Sequence, residues 1–335
     1  MKLLIVGGAG YIGSHMVKML LDGGHNVVTL DNLSTGYRDA VLGGEFIYGD
    51  LADKSLLDKI FRERQFDGVM HFASFIQVGE SVQHPAKYYQ NNFVNTLNLL
   101  DAMVAHGANN FIFSSTAAIF GEPHYSPIDE KHPKHPINPY GQSKWMIEQV
   151  LADYDRAYGL KHTCLRYFNA AGADPSGKLG ERHEPETHLI PLVLQTASGA
   201  RAQIDVFGAD YDTPDGTCMR DYIHIVDLCQ AHLLALNKLR QEGSSAVYNL
   251  GNSNGFSVQE VIETARAVTG KTIKAVMSPR RAGDPARLVA DAGLARQVLK
   301  WTPVYADLAV IIEHAWNWEQ KHAHARSTAD KSRKV

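Results

Sequence analysis

Short apolar runs alternate along the first half of the chain with stretches of helical period. Residues 2–6, 26–30, 45–48, 68–73, 110–114 and 161–168 read as strands, most of them ending in small or polar residues. Between them, residues 11–21, 54–64, 86–106 and 139–158 carry helical patterns, and in the first of these Ile12, Val17, Leu20 and Leu21 form an apolar face. Asn138 can cap the last helix, and Pro139 suits its first turn. Alternation of this kind predicts a parallel sheet built from βαβ units. The expected class is α/β, with a Rossmann-type doubly wound parallel sheet.

After Asn169 the pattern loosens. Residues 171–186 are rich in Gly, Pro and charge and read as a loop into a smaller, mixed α/β substrate lobe. Helical patterns recur at 189–199, 226–239, 258–269 and 308–320, and Ser257 with Glu260 forms a capping box ahead of the third. The expected division is a dinucleotide-binding domain at 1–168 and a second lobe at 169–320, with some of its elements free to return to the first domain. A polar, basic tail at 321–335 is expected to be disordered.

The turn between the first strand and first helix is Gly7-Gly8-Ala9-Gly10-Tyr11-Ile12-Gly13, which satisfies both GxGxxG and GxxGxxG. Residues without side chains let a pyrophosphate approach the backbone, and the helix N-terminus supplies free N–H groups and partial positive charge. Asp31 ends the second strand, 18 residues after Gly13. A carboxylate there can accept from ribose hydroxyls and would repel a 2′-phosphate, which favours NAD over NADP.

Tyr140 and Lys144 lie four residues apart in a helical segment, on one face. A free phenol titrates near pH 10, too high for a base at neutral pH. A neighbouring ammonium, and a nicotinamide cation when bound, would lower it. Upstream, Ser114-Ser115-Thr116 ends a strand and offers hydroxyls to a substrate oxygen. The segment His183-Glu184-Pro185-Glu186-Thr187-His188 superficially suggests a metal-binding helix. Pro185 disfavours helix at Glu184 and the spacing is not HExxH, so no metal is expected.

Composition narrows the partners. With 33 basic and 36 acidic residues the formal net charge is -3, which provides no broad basic field for nucleic acid. No apolar run approaches a membrane span, and the apolar start of the chain is too short for an export signal. Three cysteines without CxxC spacing argue against a disulfide framework and fit a reducing cytoplasm.

Taken together, these residues carry a resemblance over about residues 1 to 320. The chain resembles the UDP-glucose 4-epimerase family of extended short-chain dehydrogenases/reductases. The shared segments are GGAGYIGSH (7–15), DNLSTG (31–36), VGESV (78–82), YYQNN (88–92), FSSTAAIFG (113–121), PYGQSK (139–144), LRYFNAAGA (165–173), GTCMRDYIHIVDL (216–228), YNLGN (248–252) and PRRAGDPA (279–286). The resemblance implies NAD-dependent interconversion of UDP-galactose and UDP-glucose by inversion at C4 through a 4-ketopyranose. It implies that Gly7, Gly10, Tyr11, Ile12 and Gly13 hold the pyrophosphate, Asp31 and Asn32 the adenosine ribose, and Asp50 and Leu51 the adenine. Phe72, Ala73, Asn91, Tyr167 and Phe168 would line the cofactor. Thr116 and Tyr140 would act at the C4 hydroxyl, with Lys144 on the nicotinamide ribose. Asn169, His188, Leu189, Phe207, Arg220, Arg281, Asp284 and Leu288 would contact the UDP-sugar. Independently of the resemblance, a diphosphate calls for guanidinium clamps, since Arg binds phosphate oxygens bidentately. The helices at 86–106 and 139–158 are the ones this family packs into an intermolecular four-helix bundle, which implies a homodimer.

The match has departures. Ile76 stands where many members have a lysine that bonds the cofactor, and Thr187-His188-Leu189 replaces Asn-Asn-Leu. Ala117-Ala118 after Thr116 lack the acidic pair of the related 4,6-dehydratases. Leu288 falls at a position where tyrosine restricts N-acetyl substrates. Another UDP-sugar (an N-acetylhexosamine, glucuronate or pentose derivative) stays open as the substrate. So does, more remotely, an inactive NAD-sensing regulator.

Overall fold

In the computed structural model, which describes residues 1–281 and 283–332, β1 (Lys2–Val6) is the centre of the molecule. Its Leu3, Leu4, Ile5 and Val6 are all buried, so both faces of the strand are covered, as in parallel sheets sandwiched by helices. The large sheet also contains β2 (Asn26–Asp31), β3 (Glu45–Tyr48), β4 (Gly68–His71), β5 (Asn110–Thr116) and β6 (Lys161–Tyr167). The smaller strands are β7 (Asn169–Ala171), β8 (Ile204–Phe207), β9 (Met219–Arg220) and β10 (Tyr222–His224). They are followed by β11 (Ala246–Leu250), β12 (Phe256–Ser257), β13 (Ala275–Ser278) and β14 (Arg287–Leu288). The sheet order is β11-β6-β5-β4-β1-β2-β3, and every pairing is parallel. The order reverses between β1 and β4, and at such a switch point the carboxyl ends of the strands open a crevice for a ligand.

The helices are α1 (Tyr11–Asp22), α2 (Lys54–Glu63), α3 (Val78–Gln83), α4 (Pro85–Tyr88), α5 (Asn95–Ala105) and α6 (Pro139–Tyr158). In the second half come α7 (Leu189–Ala197), α8 (Ile225–Glu242), α9 (Val258–Thr269), α10 (Gly293–Leu299) and α11 (Leu308–Ser332). Asn138 caps α6 by accepting from the Gly141 N–H at 2.8 Å, and Ser257 and Glu260 close the capping box of α9. The pattern at 86–106 is continuous helix, but α4 and α5 are joined by a π-helical turn, Tyr89–Val94.

One face of the sheet packs on α1, α8 and α10 through Met16, Leu20, Leu228, Leu236 and Trp301. The other packs on α2, α5 and α6 through Leu57, Leu99, Met103, Ile147 and Leu151. Residues 225–250 therefore return to the large sheet, with β11 at its edge. A separate core from α7, α9 and α11 joins Val193, Ile262, Ile312 and Trp316 in the second lobe. The expected disordered tail is corrected: α11 continues to Ser332. No Gly or Pro interrupts that stretch, so nothing in the sequence stops the helix. Residues 333–335 lie outside the described residues. No helix among the described residues is long and apolar enough to cross a membrane.

Candidate active site

The glycine turn separates two needs. A Cβ on Gly7 (φ +81°) would stand 2.4 Å from the Ala73 nitrogen, and one on Gly13 would stand 2.1 Å from the Gly7 carbonyl. Both glycines are dictated by backbone packing, since the Phe72 and Ala73 N–H groups both donate to the Val6 carbonyl, at 2.8 and 3.2 Å. A Cβ on Gly10 would meet only an ordinary contact at 3.5 Å. Its missing side chain serves an approaching ligand rather than the protein. Gly10 is also the N-cap of α1, and no side chain caps that terminus. The residues therefore fit a dinucleotide pyrophosphate.

Asp31 lies alongside. Its carboxylate accepts from the Ala9 N–H at 2.9 Å and the Leu33 N–H at 2.8 Å, and burial raises its pKa. It fixes the glycine turn as well as facing the adenosine end. Asn32 donates to Asp50 at 2.6 Å, which brings the two expected adenosine contacts together, and buried Leu51 holds the Asn98 amide through its carbonyl. Asn91 donates to Asn92, which spans the Phe75 backbone and reaches the Ser143 hydroxyl. Ile76 is 38% exposed just before α3 and brings no charge to this region.

At the carboxyl end of β5 the three hydroxyls part company. Ser114 pairs with the Tyr167 hydroxyl, and Ser115 donates to Glu148 at 2.5 Å. Neither is free to reach a substrate, which corrects the expectation for these two. Only Thr116 remains, near enough to Tyr140 to lower its phenol and accepting the Ala118 N–H at 3.1 Å. Glu148 in turn holds Arg166 at 2.5 Å, both buried, which ties α6 to β6. Sequence reasoning missed this pair, because nothing in spacing says that residues 148 and 166 meet.

Lys144, buried one turn after Tyr140, donates to the Ser114 carbonyl at 2.9 Å. Burial pushes its ammonium down to about 7. The Tyr140 phenol is moved opposite to expectation. Burial pushes it up, and the Thr116 contact only partly offsets this. Burial and the Thr116 contact, not the lysine charge, set the direction of this shift. Phe72 packs on His232 with ring centroids 5.0 Å apart, below the buried phenol of Tyr167.

The second lobe faces this floor. Asn169 donates to the Asp221 carbonyl at 2.8 Å. Asp221, unmarked by sequence reasoning, is fully buried and accepts three backbone N–H groups, from Asn252, Ser253 and Ala290. Burial pushes it up to about 6. Next to it, Arg220 reaches Asp284 at 3.2 Å, and Leu288 is the β partner of Arg220. Leu288 and Phe168 each pack against the buried cluster of Ala117, Ile119, Phe120 and Ile128. Arg281 stacks over the Phe207 ring at 3.8 Å. His188 and Leu189 open α7, and His188 Nδ1 sits 2.5 Å from Glu181. Burial works against protonation of His183 and His188. The Glu181 and Glu186 carboxylates outweigh it and push the two imidazoles up to about 9 and about 10.

The comparisons with known proteins agree with this geometry. Residues 3–251 match the NAD dependent epimerase/dehydratase family. A UDP-glucose 4-epimerase of Halalkalibacterium halodurans is 51% identical over 333 residues, 99% of this chain and 100% of that one. The crystal structure of UDP-glucose 4-epimerase from Brucella ovis in complex with NAD superposes with a TM-score of 0.92 at 48% identity, covering 94% of this chain and 97% of that one. The UDP-Glc/GlcNAc 4-epimerase of Campylobacter jejuni superposes at 0.85 with 46% identity, covering 96% and 99%.

Proposed function

The chain belongs to the NAD dependent epimerase/dehydratase family, and we infer that Tyr140, Thr116 and Lys144 carry out its reaction. It is a UDP-glucose 4-epimerase, an NAD-dependent isomerase that interconverts UDP-galactose and UDP-glucose. The observation that carries the site assignment is the meeting of Tyr140 and Thr116 at the carboxyl end of β5, beside the switch point that holds the glycine turn.

When bound, NAD supplies the reversible oxidation of the C4 alcohol to a 4-keto group. The glycine turn and α1 terminus hold its pyrophosphate, and Asp31 and Asn32 its adenosine ribose. Tyr140 takes the proton from the C4 hydroxyl and later returns it, while Thr116 donates to the same oxygen. Lys144, fixed by the Ser114 carbonyl one turn after Tyr140, would bond the nicotinamide ribose. Arg220 and Arg281 bind the diphosphate, and Phe207 packs on the uracil. Leu288 and Phe168 give the sugar an apolar wall with few directional contacts. A neutral keto sugar can turn there while the nucleotide stays held, so hydrogen returns to its other face.

Leu288 is smaller than tyrosine, which supports N-acetylated UDP-hexosamines as additional substrates. A homodimer through α5 and α6 is supported by exposed apolar surface on and next to these helices, Tyr158 at the end of α6 (58% exposed) and Val94 just before α5 (39%). A reducing cytoplasm is supported by Cys164, Cys218 and Cys229, all buried and free. The deciding experiment is Tyr140→Phe in a coupled assay for UDP-glucose formed from UDP-galactose. Turnover should fall by about 10²–10⁴-fold. A folded, NAD-containing variant with an unchanged rate would overturn the assignment.

A further inference from the structure

We propose that Glu181, His183, Glu186 and His188 form a structural site for one divalent transition-metal ion of the zinc type. The four side chains each present one donor atom, and these atoms all lie within 4.8 Å of one another. Residues 181–188 are a loop, so helical spacing, which spoke against a metal at the level of sequence, does not govern them. The chain reverses around Glu184-Pro185 and turns His183 and His188 toward the same two carboxylates.

The distances suit a tetrahedron. For metal–ligand bonds of 2.0–2.2 Å, neighbouring donors stand roughly 3.3–3.6 Å apart. His183 Nδ1 is 3.2 Å from Glu181 and 3.7 Å from Glu186, and His188 Nδ1 is 3.5 Å from Glu186. The 2.5 Å contact between His188 and Glu181 has to open by about 1 Å, and the Glu186 carboxylate, which faces His183 through Oε2 and His188 through Oε1, has to turn so that one oxygen serves the ion. His183 Nδ1 is shut off from solvent yet makes no hydrogen bond, although two carboxylates face it. The carboxylates favour a proton on this ring, so an ion taken up here would displace that proton.

Charge agrees. The Glu181 and Glu186 side chains are each only 6% exposed, and their ion-pair partners among the described residues are these two histidines. With both imidazoles protonated the cluster is already balanced, and exchanging those two protons for one divalent cation keeps the sum at zero. Paired imidazoles select a first-row transition ion over magnesium or calcium, and four protein donors leave no open position, the mark of a structural site. The surroundings hold the ligands in place. Glu186 accepts the N–H groups of Thr187 at 2.7 Å and His188 at 2.8 Å, and the Trp318 indole donates to the Glu181 carbonyl at 3.0 Å. The Tyr11 ring of the glycine turn stands edge-on to His183, with centroids 6.3 Å apart. An ion here would clasp the cofactor turn, the start of α7 and α11 through one loop, and would take His188 out of the expected UDP-sugar contacts, leaving it a positioning role for Leu189.

The test uses the full chain with its NAD, stripped of metal by a chelator and titrated calorimetrically with zinc(II) chloride alone. One equivalent should bind with a Kd below about 1 µM, and cobalt(II) should give the intense visible absorption of a tetrahedral ion. His183→Gln and Glu181→Gln should each weaken zinc by more than about 100-fold, with circular dichroism and NAD content reporting that the variants fold. Exposed Glu184→Gln should bind as the unsubstituted chain does. Absence of saturable zinc binding, or equal affinity in all variants, would overturn the proposal and leave two ion pairs. If the variants fail to fold, the cobalt spectrum of the unsubstituted chain decides: a weak octahedral spectrum overturns the site.

Discussion

The Lys144 ammonium is buried and donates to the Ser114 carbonyl at 2.9 Å, two residues before Thr116 on the same strand. It is therefore fixed to the strand that carries the substrate hydroxyl rather than to the phenol it supports. Lys144→Met keeps the length and removes a costly buried charge. Turnover of UDP-galactose should drop by about 10²–10⁴-fold with the melting temperature held or raised. Steady-state rates and circular dichroism melts check both.

Gly10 and Gly13 should fail differently. Gly13→Ala drives a Cβ to 2.1 Å from the Gly7 carbonyl and should cost about 3 kcal/mol of stability or more. Gly10→Ala meets no such clash and should cost less than about 1 kcal/mol, while weakening NAD by at least about tenfold. Denaturant unfolding and the NAD content of purified protein separate the two. Equal destabilisation would contradict the division of roles.

Arg220 and Asp284 meet at 3.2 Å, and their proposed role is to hold the UDP part of the substrate rather than to act at C4. Binding energy realised equally in ground and transition states appears in KM. Arg220→Met should raise KM for the UDP-sugar by at least about tenfold and change kcat by less than about threefold. Asp284→Asn should act in the same direction, more weakly. A loss confined to kcat would place Arg220 elsewhere in the mechanism.

Leu288 packs on the Ala117, Ile119, Phe120 and Ile128 cluster and is proposed as the apolar wall beside the sugar. Leu288→Tyr adds a ring to that wall. The ratio of kcat/KM for UDP-N-acetylglucosamine to that for UDP-glucose should fall by about tenfold or more. Parallel assays of both substrates measure it, and an unchanged ratio would show that the wall does not touch the C2 substituent.

Several histidines are buried neutral. Burial lowers His71 to about 3 and His232 to about 4, against 6.5 in the unfolded chain. Below 6.5 the unfolded state binds more protons, so stability is full above that pH and is lost as pH falls toward 4. The melting temperature should decline between pH 6.5 and 4, and His232→Phe should flatten that decline. A steeper decline in the variant would contradict the neutral state of His232.

The strands, the glycine turn, the α6 cap and the Tyr140–Lys144 spacing were legible because each depends on near neighbours in the chain. Period, capping and the need for a side-chain-free turn are local physics, and the resemblance added roles to the same segments. Four features were decided only by tertiary packing. The return of 225–250 to the sheet follows from two apolar faces finding cover. The engagement of Ser114 and Ser115 depends on Tyr167 of β6 and Glu148 of α6, both on other elements. The direction of the Tyr140 shift is set by burial, which no spacing reveals. The convergence of Glu181, His183, Glu186 and His188 arises because a loop, unlike a helix, has no fixed period, and its ligand geometry exists only once the chain has folded back on the glycine turn.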